Sequence, residues 1–418
     1  MANAAEQQHS NRNIWLTVIV CGLGYFVDIY DLILFSIVRP ESLTSIGVSA
    51  LEMQDASELI LNAQMVGMLL GGAIFGALAD KRGRLSVLLG SILMYSIMNI
   101  ANAFVSSVEM YAVFRFFSGI GLAGELGVAI TLVSEVMPKH SRGYGTTVVA
   151  TLGVLGAVGA YLVHAFTDWR IAYIIGGVLG LCLLVMRVRI RESGMFHRAE
   201  EENIARGNLL MLFQKGRIGR YLANAAIGVP VWFVIGILVT FAPEFTRHGG
   251  GATDVSAGQA VMWAYVGFAG GELTSGFISQ WLKSRRKAIM LFISLTAICV
   301  VWYLFTPEKS TSFTYLQTGI LGFSVGYWAV FVTTAAEQFG TNIRATVATT
   351  IPNVARGALV PALLLFGLLR KEVDGVVDAD SLVTSAVIVG AVTLSIAAIG
   401  VAVMKETYGK NLDYFEPV

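Results

Sequence analysis

Charge is what this chain has least of. Asp, Glu, Lys and Arg make up 14% of its 418 residues, against roughly 25% in a soluble chain. That deficit excludes an ordinary water-soluble globule. Cysteine is nearly absent: Cys21, Cys182 and Cys299 are too few and too scattered for a disulfide framework or a metal knot. There is no Walker loop, no dinucleotide fingerprint after a strand, no nucleophile elbow and no His/Cys cluster, so an enzyme is not expected, nor any cofactor or metal. Without a nucleotide site, uphill work must draw on an ion gradient. Carboxylates without a hydroxyl-rich cluster favour protons over sodium. A net charge of +1 says nothing about partners, and no nucleic acid is expected. The expected partners are a lipid bilayer, a small-molecule substrate and protons, with the chain acting as a monomer.

What is present is apolar length. Hydrophobic residues make up 55% of the chain and its mean hydropathy is +0.69. Runs long enough to cross a hydrocarbon core recur at 14–38, 57–79, 85–105, 108–137, 143–166, 169–189, 218–243, 257–282, 287–306, 312–338, 343–370 and 381–404. Forty-five glycines suit close helix packing in lipid. Met1 to Arg12 lacks the cationic, apolar and cleavage-site layout of a signal peptide, so the first span is expected to act as an uncleaved insertion signal.

Two patterns repeat between the halves. Gly76-Ala-Leu-Ala-Asp80-Lys81-Arg82-Gly83-Arg84 returns as Gly276-Phe-Ile-Ser-Gln280-Trp-Leu-Lys283-Ser-Arg285-Arg286-Lys287. Glu135 and Arg142, seven apart after the fourth span, return as Glu337 and Arg344 after the tenth. A duplicated membrane bundle points to a transporter. The expected organisation is two six-helix halves, 1–189 and 218–418, joined by a polar linker at 190–217 with an amphipathic stretch, Glu192–Arg206. Of the 29 Lys+Arg, 21 fall in one set of alternate loops, eight of them between Arg187 and Arg220, and six in the other set. This bias places both termini in the cytoplasm. The Glu135–Arg142 and Glu337–Arg344 pairs, with the Asp80 and Gln280 turns, are expected to clamp the halves together on that side. Arg142 is expected to reach Asp80, and Arg84 a nearby helix end.

Ionisable residues inside spans cost on the order of 2.5–3.5 kcal/mol each on insertion scales, so each needs a reason. They are Asp28 and Asp31 in span 1, Arg115 and Glu125 in span 4, Glu272 in span 8 and Arg356 in span 11. Glu125 lies ~15 Å deeper than Arg115 along a helix, so Asp31 matches Arg115 in depth and Asp28 lies closer to Glu125. A carboxylate beside a guanidinium and one beside another carboxylate differ in proton affinity, which is what proton coupling needs. Arg356, three residues after Asn353, shares its helical face. Its fork suits a carboxylate, unless Glu272 claims it. Tyr25, Trp232, Tyr327 and Trp328 are candidates for an aromatic wall around the substrate.

Several of these segments resemble a known family. Gly76-x-x-x-Asp80-Lys-Arg-Gly-Arg84 resembles the loop signature of the major facilitator superfamily, and Arg115-x-x-x-Gly119-x-Gly121-x-x-Gly124 its fourth-helix motif. Lys405-Glu-Thr-Tyr-Gly-Lys410 is similar to the tail of its sugar porters. Val27-Asp28-Ile-Tyr-Asp31-Leu and Gly124-Glu125 resemble segments of its metabolite:proton symporters, although Met68-Leu69 stands where those have Arg-Pro and Asp28 where they have Glu. The resemblance implies an all-α membrane protein of twelve transmembrane helices in two pseudo-symmetric bundles. It implies alternating access, with helices 1 and 4 lining the N-half cavity. The expected activity is proton-coupled uptake of a small organic anion, carboxylate or zwitterion across a cell inner membrane. The alternatives are a proton-driven exporter and an organic-cation carrier of the same fold. Gly153-Val-Leu-Gly-Ala-Val-Gly-Ala160 has glycines but not the Gly-Pro of exporters.

Overall fold

The computed structural model describes residues 2–49, 52–138, 141–187, 209–214, 216–248, 251–252, 254–307, 310–370, 372–373 and 376–417. The expected linker helix Glu192–Arg206 lies outside the described residues. The first six spans are α1 (Ala2–Ser45), α2 (Met53–Arg82), α3 (Arg84–Asn102), α4 with α5 (Val108–Leu122, Glu125–Val136), α6 (Arg142–Phe166) and α7 (Trp169–Arg187). After a short 3-10 turn, the second six begin with α8 (Arg217–Phe233), which continues through a π-helical segment, Val234–Val239, into α9 (Ala242–His248). They go on with α10 (Ala257–Trp281), α11 (Arg285–Phe305), α12 with α13 (Thr311–Ser324, Trp328–Glu337), α14 with α15 (Arg344–Gly357, Leu359–Leu369) and α16 (Ala379–Val403). Two two-residue strands, Glu372–Val373 and Val376–Val377, pair antiparallel before α16.

Eleven of these spans are long and apolar enough to cross a membrane by composition alone. The twelfth is α10, made more polar by Gln259, Glu272, Thr274, Ser275, Ser279 and Gln280. Side-chain caps set several starts: Ser107, Ser284, Ser310 and Asp378 accept the amides of Met110, Lys287, Phe313 and Ser381. These satisfy donors that a helix start leaves unpaired.

The duplication is visible in the contacts between halves. Span 2 packs on span 11, and span 5 on span 8, the pairs a two-fold axis between halves would relate. The repeated glycines sit at these two seams. A Cβ on Gly76 would lie 2.9 Å from the Thr346 backbone, and one on Gly276 would lie 2.1 Å from the Thr147 side chain. The turn after each is also repeated. Gly83 has φ 99°, and Lys283, 200 positions later, has φ 48°, a left-handed conformation that costs a non-glycine residue about 1 kcal/mol.

Candidate functional site

At one end of the bundle the four clamp residues cross between the halves. Glu135 accepts from Arg84 (3.1 Å) of its own half and from Arg344 (3.0 Å) of the other. Glu337 accepts from Arg285 (3.3 Å) of its own half and from Arg142 (2.8 Å) of the other. The seven-residue spacing therefore does not mark a local Glu–Arg pair; each Glu takes the Arg of the opposite repeat. Asp80 is not met by Arg142. Its carboxylate accepts the amides of Ala345 (3.1 Å) and Thr346 (2.8 Å) and the Thr346 hydroxyl (2.7 Å), with Arg84 at 3.4 Å. It thus caps the start of α14, where a helix presents its positive end. Gln280, its repeat partner, abuts Gly143 at the start of α6.

The C-terminal tail lies over this end. Thr407 donates to Glu337 (2.7 Å), Arg142 to the Lys410 carbonyl (3.0 Å), and Thr341 N–H to the Tyr414 carbonyl (2.9 Å). Burial pushes the Glu406 carboxyl up, but hydrogen bonds from Ser284 and from the Tyr408, Arg285 and Thr407 amides outweigh it and hold the group below the ordinary carboxylate range. Asp80→Asn keeps one acceptor oxygen and loses the charge on the α14 dipole. The expected result is altered conformational exchange with near-normal substrate affinity, read by cysteine accessibility at the two ends. A collapse of affinity at an unchanged exchange rate would remove Asp80 from the clamp.

In the N-half, Asp31 and Arg115 are both fully buried and joined at 2.6 Å. A second Arg115 nitrogen reaches the Asp31 carbonyl (3.0 Å), the Ser118 hydroxyl donates to the other carboxylate oxygen (2.6 Å), and the guanidinium lies 5.9 Å from the Tyr173 ring centre. Ser118 follows Arg115 by three residues and is legible in sequence as a same-face neighbour. Tyr173, on another span, carries no such signal.

Asp28 and Glu125 do not form the expected pair. Glu125 binds Arg187 through two hydrogen bonds, one of 2.9 Å. Arg187 belongs inside the bundle, fully buried, and not with the loop charges among which its position at the end of an apolar run places it. Gly24 makes room: a Cβ there would fall 1.8 Å from an Arg187 nitrogen and 2.2 Å from a Glu125 oxygen. Breaking such a pair strands a buried charge and costs about 3–5 kcal/mol, whereas removing both partners costs far less. Arg187→Gln should therefore melt several degrees below the parent in detergent, and Glu125→Gln/Arg187→Met above Arg187→Gln. A double variant no more stable than the single would contradict this.

Asp28 is left fully buried with both oxygens lacking a hydrogen-bond partner among the described residues. An ionised carboxylate in that setting is costly unless paired.

Arg356 enters from the C-half, 2% exposed. It donates to Asn353 (3.1 Å), which in turn donates to the Ala123 carbonyl of the N-half (3.1 Å). Its guanidinium lies 5.7 Å from the ring centres of both Trp232 and Trp328. Its Nε and Nη2 have no hydrogen-bond partner among the described residues. Glu272 does not claim it; both Glu272 oxygens accept the Ala329 amide (3.1 and 2.9 Å) at the start of α13, where span 10 is broken. Tyr25 is buried, with its ring 1.8 Å from where a Cβ on Gly153 would fall, and Tyr265, not picked out from sequence, is buried too. Tyr327 spends its hydroxyl on the Ile227 carbonyl (2.9 Å). Among the described residues no group of His, Cys, Asp and Glu is placed to hold a metal.

A cavity of about 260 Å³ lies between the halves, away from the clamp. Ser57 of α2 lines it, whereas Asp80 of the same helix sits in the clamp, ~35 Å further along at 1.5 Å per residue. Trp232, whose ring centre lies 5.7 Å from the Arg356 guanidinium, is part of its wall.

Residues 21–363 match the family profile described as Major Facilitator Superfamily. The chain is 28% identical to the niacin transporter NiaP of Acinetobacter baylyi, covering 94% of each. It is 23% identical to the 4-hydroxybenzoate transporter PcaK of Pseudomonas putida, over 77% of this chain and 73% of that one. Its fold is similar to that of the proton:xylose symporter XylE bound to 6-bromo-6-deoxy-D-glucose, with a TM-score of 0.76 and 17% identity over 97% of this chain and 98% of that one.

Proposed function

The chain belongs to the Major Facilitator Superfamily and is a multi-pass membrane transporter, not an enzyme; on that premise we propose that it takes up a small aromatic monocarboxylate by proton symport. The observation that carries this reading is Arg356. A guanidinium beside a pair of edge-to-face indoles, with two donor nitrogens unspent among the described residues, matches a ring bearing one carboxylate. The substrates named for two relatives, niacin and 4-hydroxybenzoate, are acids of that class. An organic cation would meet an uncompensated positive charge at the same place.

Coupling falls to the N-half carboxylates. Asp31 holds Arg115, and Asp28 is buried without a hydrogen bond of its own among the described residues. A proton on Asp31 releases Arg115. A substrate carboxylate on Arg356 neutralises the guanidinium, and a proton on Asp28 neutralises the buried carboxylate. Substrate and proton then load together, and the neutralised cavity can close. The clamp end carries the basic loops, so it faces the cytoplasm of an inner membrane, and the cavity faces outward. This state is thus closed on the inside.

The test is uptake into proteoliposomes under an imposed pH gradient, screened against aromatic and aliphatic carboxylates, amino acids and organic cations. Acid-outside accumulation of aromatic monocarboxylates, abolished by a protonophore, is the expected result. Preference for a cation, or accumulation indifferent to the pH gradient, would overturn the reading.

A further inference from the structure

The cavity between the halves has features the Arg356 site does not use. Among the described residues lining it, Arg39 and Glu244 are the charged ones. Arg39 stands on α1 in the N-half and Glu244 on α9 in the C-half. Neither is fully satisfied: Arg39 Nε and Glu244 Oε2 are buried atoms lacking a hydrogen-bond partner among the described residues. The remaining wall is mostly apolar, and one side of it, Ile235 and Gly236, belongs to the π-helical segment, a distortion frequent at functional sites. The floor includes Trp232, whose other neighbour is Arg356.

We propose that this cavity is an outer binding subsite for a monocarboxylate carrying an apolar ring, with Arg39 as the partner of the carboxylate and Trp232 as the surface the ring rests on. This rests on the reading of the substrate as a carboxylate and deepens it. A space of about 260 Å³ admits one small ring and little more, near the lower limit of small-molecule sites. The single cation in the described lining sets the preference for an anion. The single anion, Glu244, sets the limit, because a second carboxylate on the ligand would meet it in a low-dielectric cleft. As the ligand passes Trp232 to Arg356, Arg39 is left to Glu244. The two stand on opposite halves, so their attraction draws the outer ends together behind the ligand.

The experiment uses the full chain in nanodiscs of zwitterionic phospholipid, with labelled nicotinate and 4-hydroxybenzoate as probes. Arg356→Gln should still bind a probe weakly, and adding Arg39→Gln should weaken that residual binding by about tenfold, the loss expected for one charge-assisted hydrogen bond. In proteoliposomes Arg39→Gln alone should raise KM by a similar factor and also lower the maximal rate, because the outer ends lose the attraction that draws them together behind the ligand. Glu244→Gln should admit benzene-1,4-dicarboxylate as a competitor that the parent refuses. Residual binding in Arg356→Gln that ignores Arg39, or an unchanged KM in Arg39→Gln, overturns the subsite while leaving the carboxylate reading intact. A parent protein that binds neither probe nor any other carboxylate overturns that reading and the subsite with it.

Discussion

Asp31→Asn should abolish proton-driven accumulation of the substrate while sparing its binding. The parent pair is fully buried and short, 2.6 Å from Arg115 to Asp31, and its second carboxylate oxygen is held by Ser118 at 2.6 Å. Asparagine keeps an oxygen for one of these bonds but removes the charge, which mimics the protonated state permanently. Arg115 then stays in the condition that a proton would otherwise create and release once per cycle. Exchange of labelled for unlabelled substrate needs no net proton movement and should continue. Net uptake against a gradient should fall to equilibration, where the parent gains about tenfold in concentration per pH unit for each coupled proton. The measurement is paired: counterflow and pH-driven uptake in the same vesicles. Full pH-driven accumulation by Asp31→Asn would take this residue out of the coupling and leave Asp28 or Glu125 to carry the proton.

Arg356→Lys should weaken substrate binding by about 100-fold although the charge is kept, a loss of about 2.7 kcal/mol. Three contacts depend on the guanidinium plane. It lies against Trp232 and Trp328, each 5.7 Å away, and it donates to Asn353 at 3.1 Å while leaving two nitrogens for the substrate. A lysine ammonium is a compact point charge without the fork and without a flat face for the indoles. It cannot hold a carboxylate at two points. Direct binding of an aromatic carboxylate to purified protein decides the matter, and unchanged affinity in Arg356→Lys would move the substrate elsewhere. Trp328→Leu should be milder than Arg356→Lys, because it removes one ring contact and leaves the ion pair to the ligand.

The pairing at depth shows where sequence reasoning carries and where it stops. Asp31 and Arg115 are expected at one level because rise per residue fixes depth along a span, and the structure joins them there. The same arithmetic puts Asp28 beside Glu125, and there it fails. Depth says nothing about which of several helices at that level supplies the partner, and Arg187 takes Glu125 instead. Arg187 itself misleads for a local reason: a basic residue closing an apolar run looks like the start of a loop. Only Gly24, with no side chain to fill the space, lets that guanidinium turn inward. The clamp meets the same limit. The Glu–Arg spacing of seven marks the right residues, but their partners are exchanged between repeats, Glu135 with Arg344 and Glu337 with Arg142.

By itself, then, the sequence determined the class of molecule: apolar runs of membrane length, repeated twice around matching glycine and charge motifs, with the charges that must be buried visible as interruptions. Those properties are local and periodic, and a single chain read in order displays them. The partner of each buried charge was decided only in the tertiary structure. So were the convergence of Arg356, Trp232 and Trp328 from three spans and the cavity whose charges stand on opposite halves. Each depends on which faces of separate helices meet. That is fixed by packing between segments far apart in the chain, 209 residues for Glu135 and Arg344, not by any pattern along one of them.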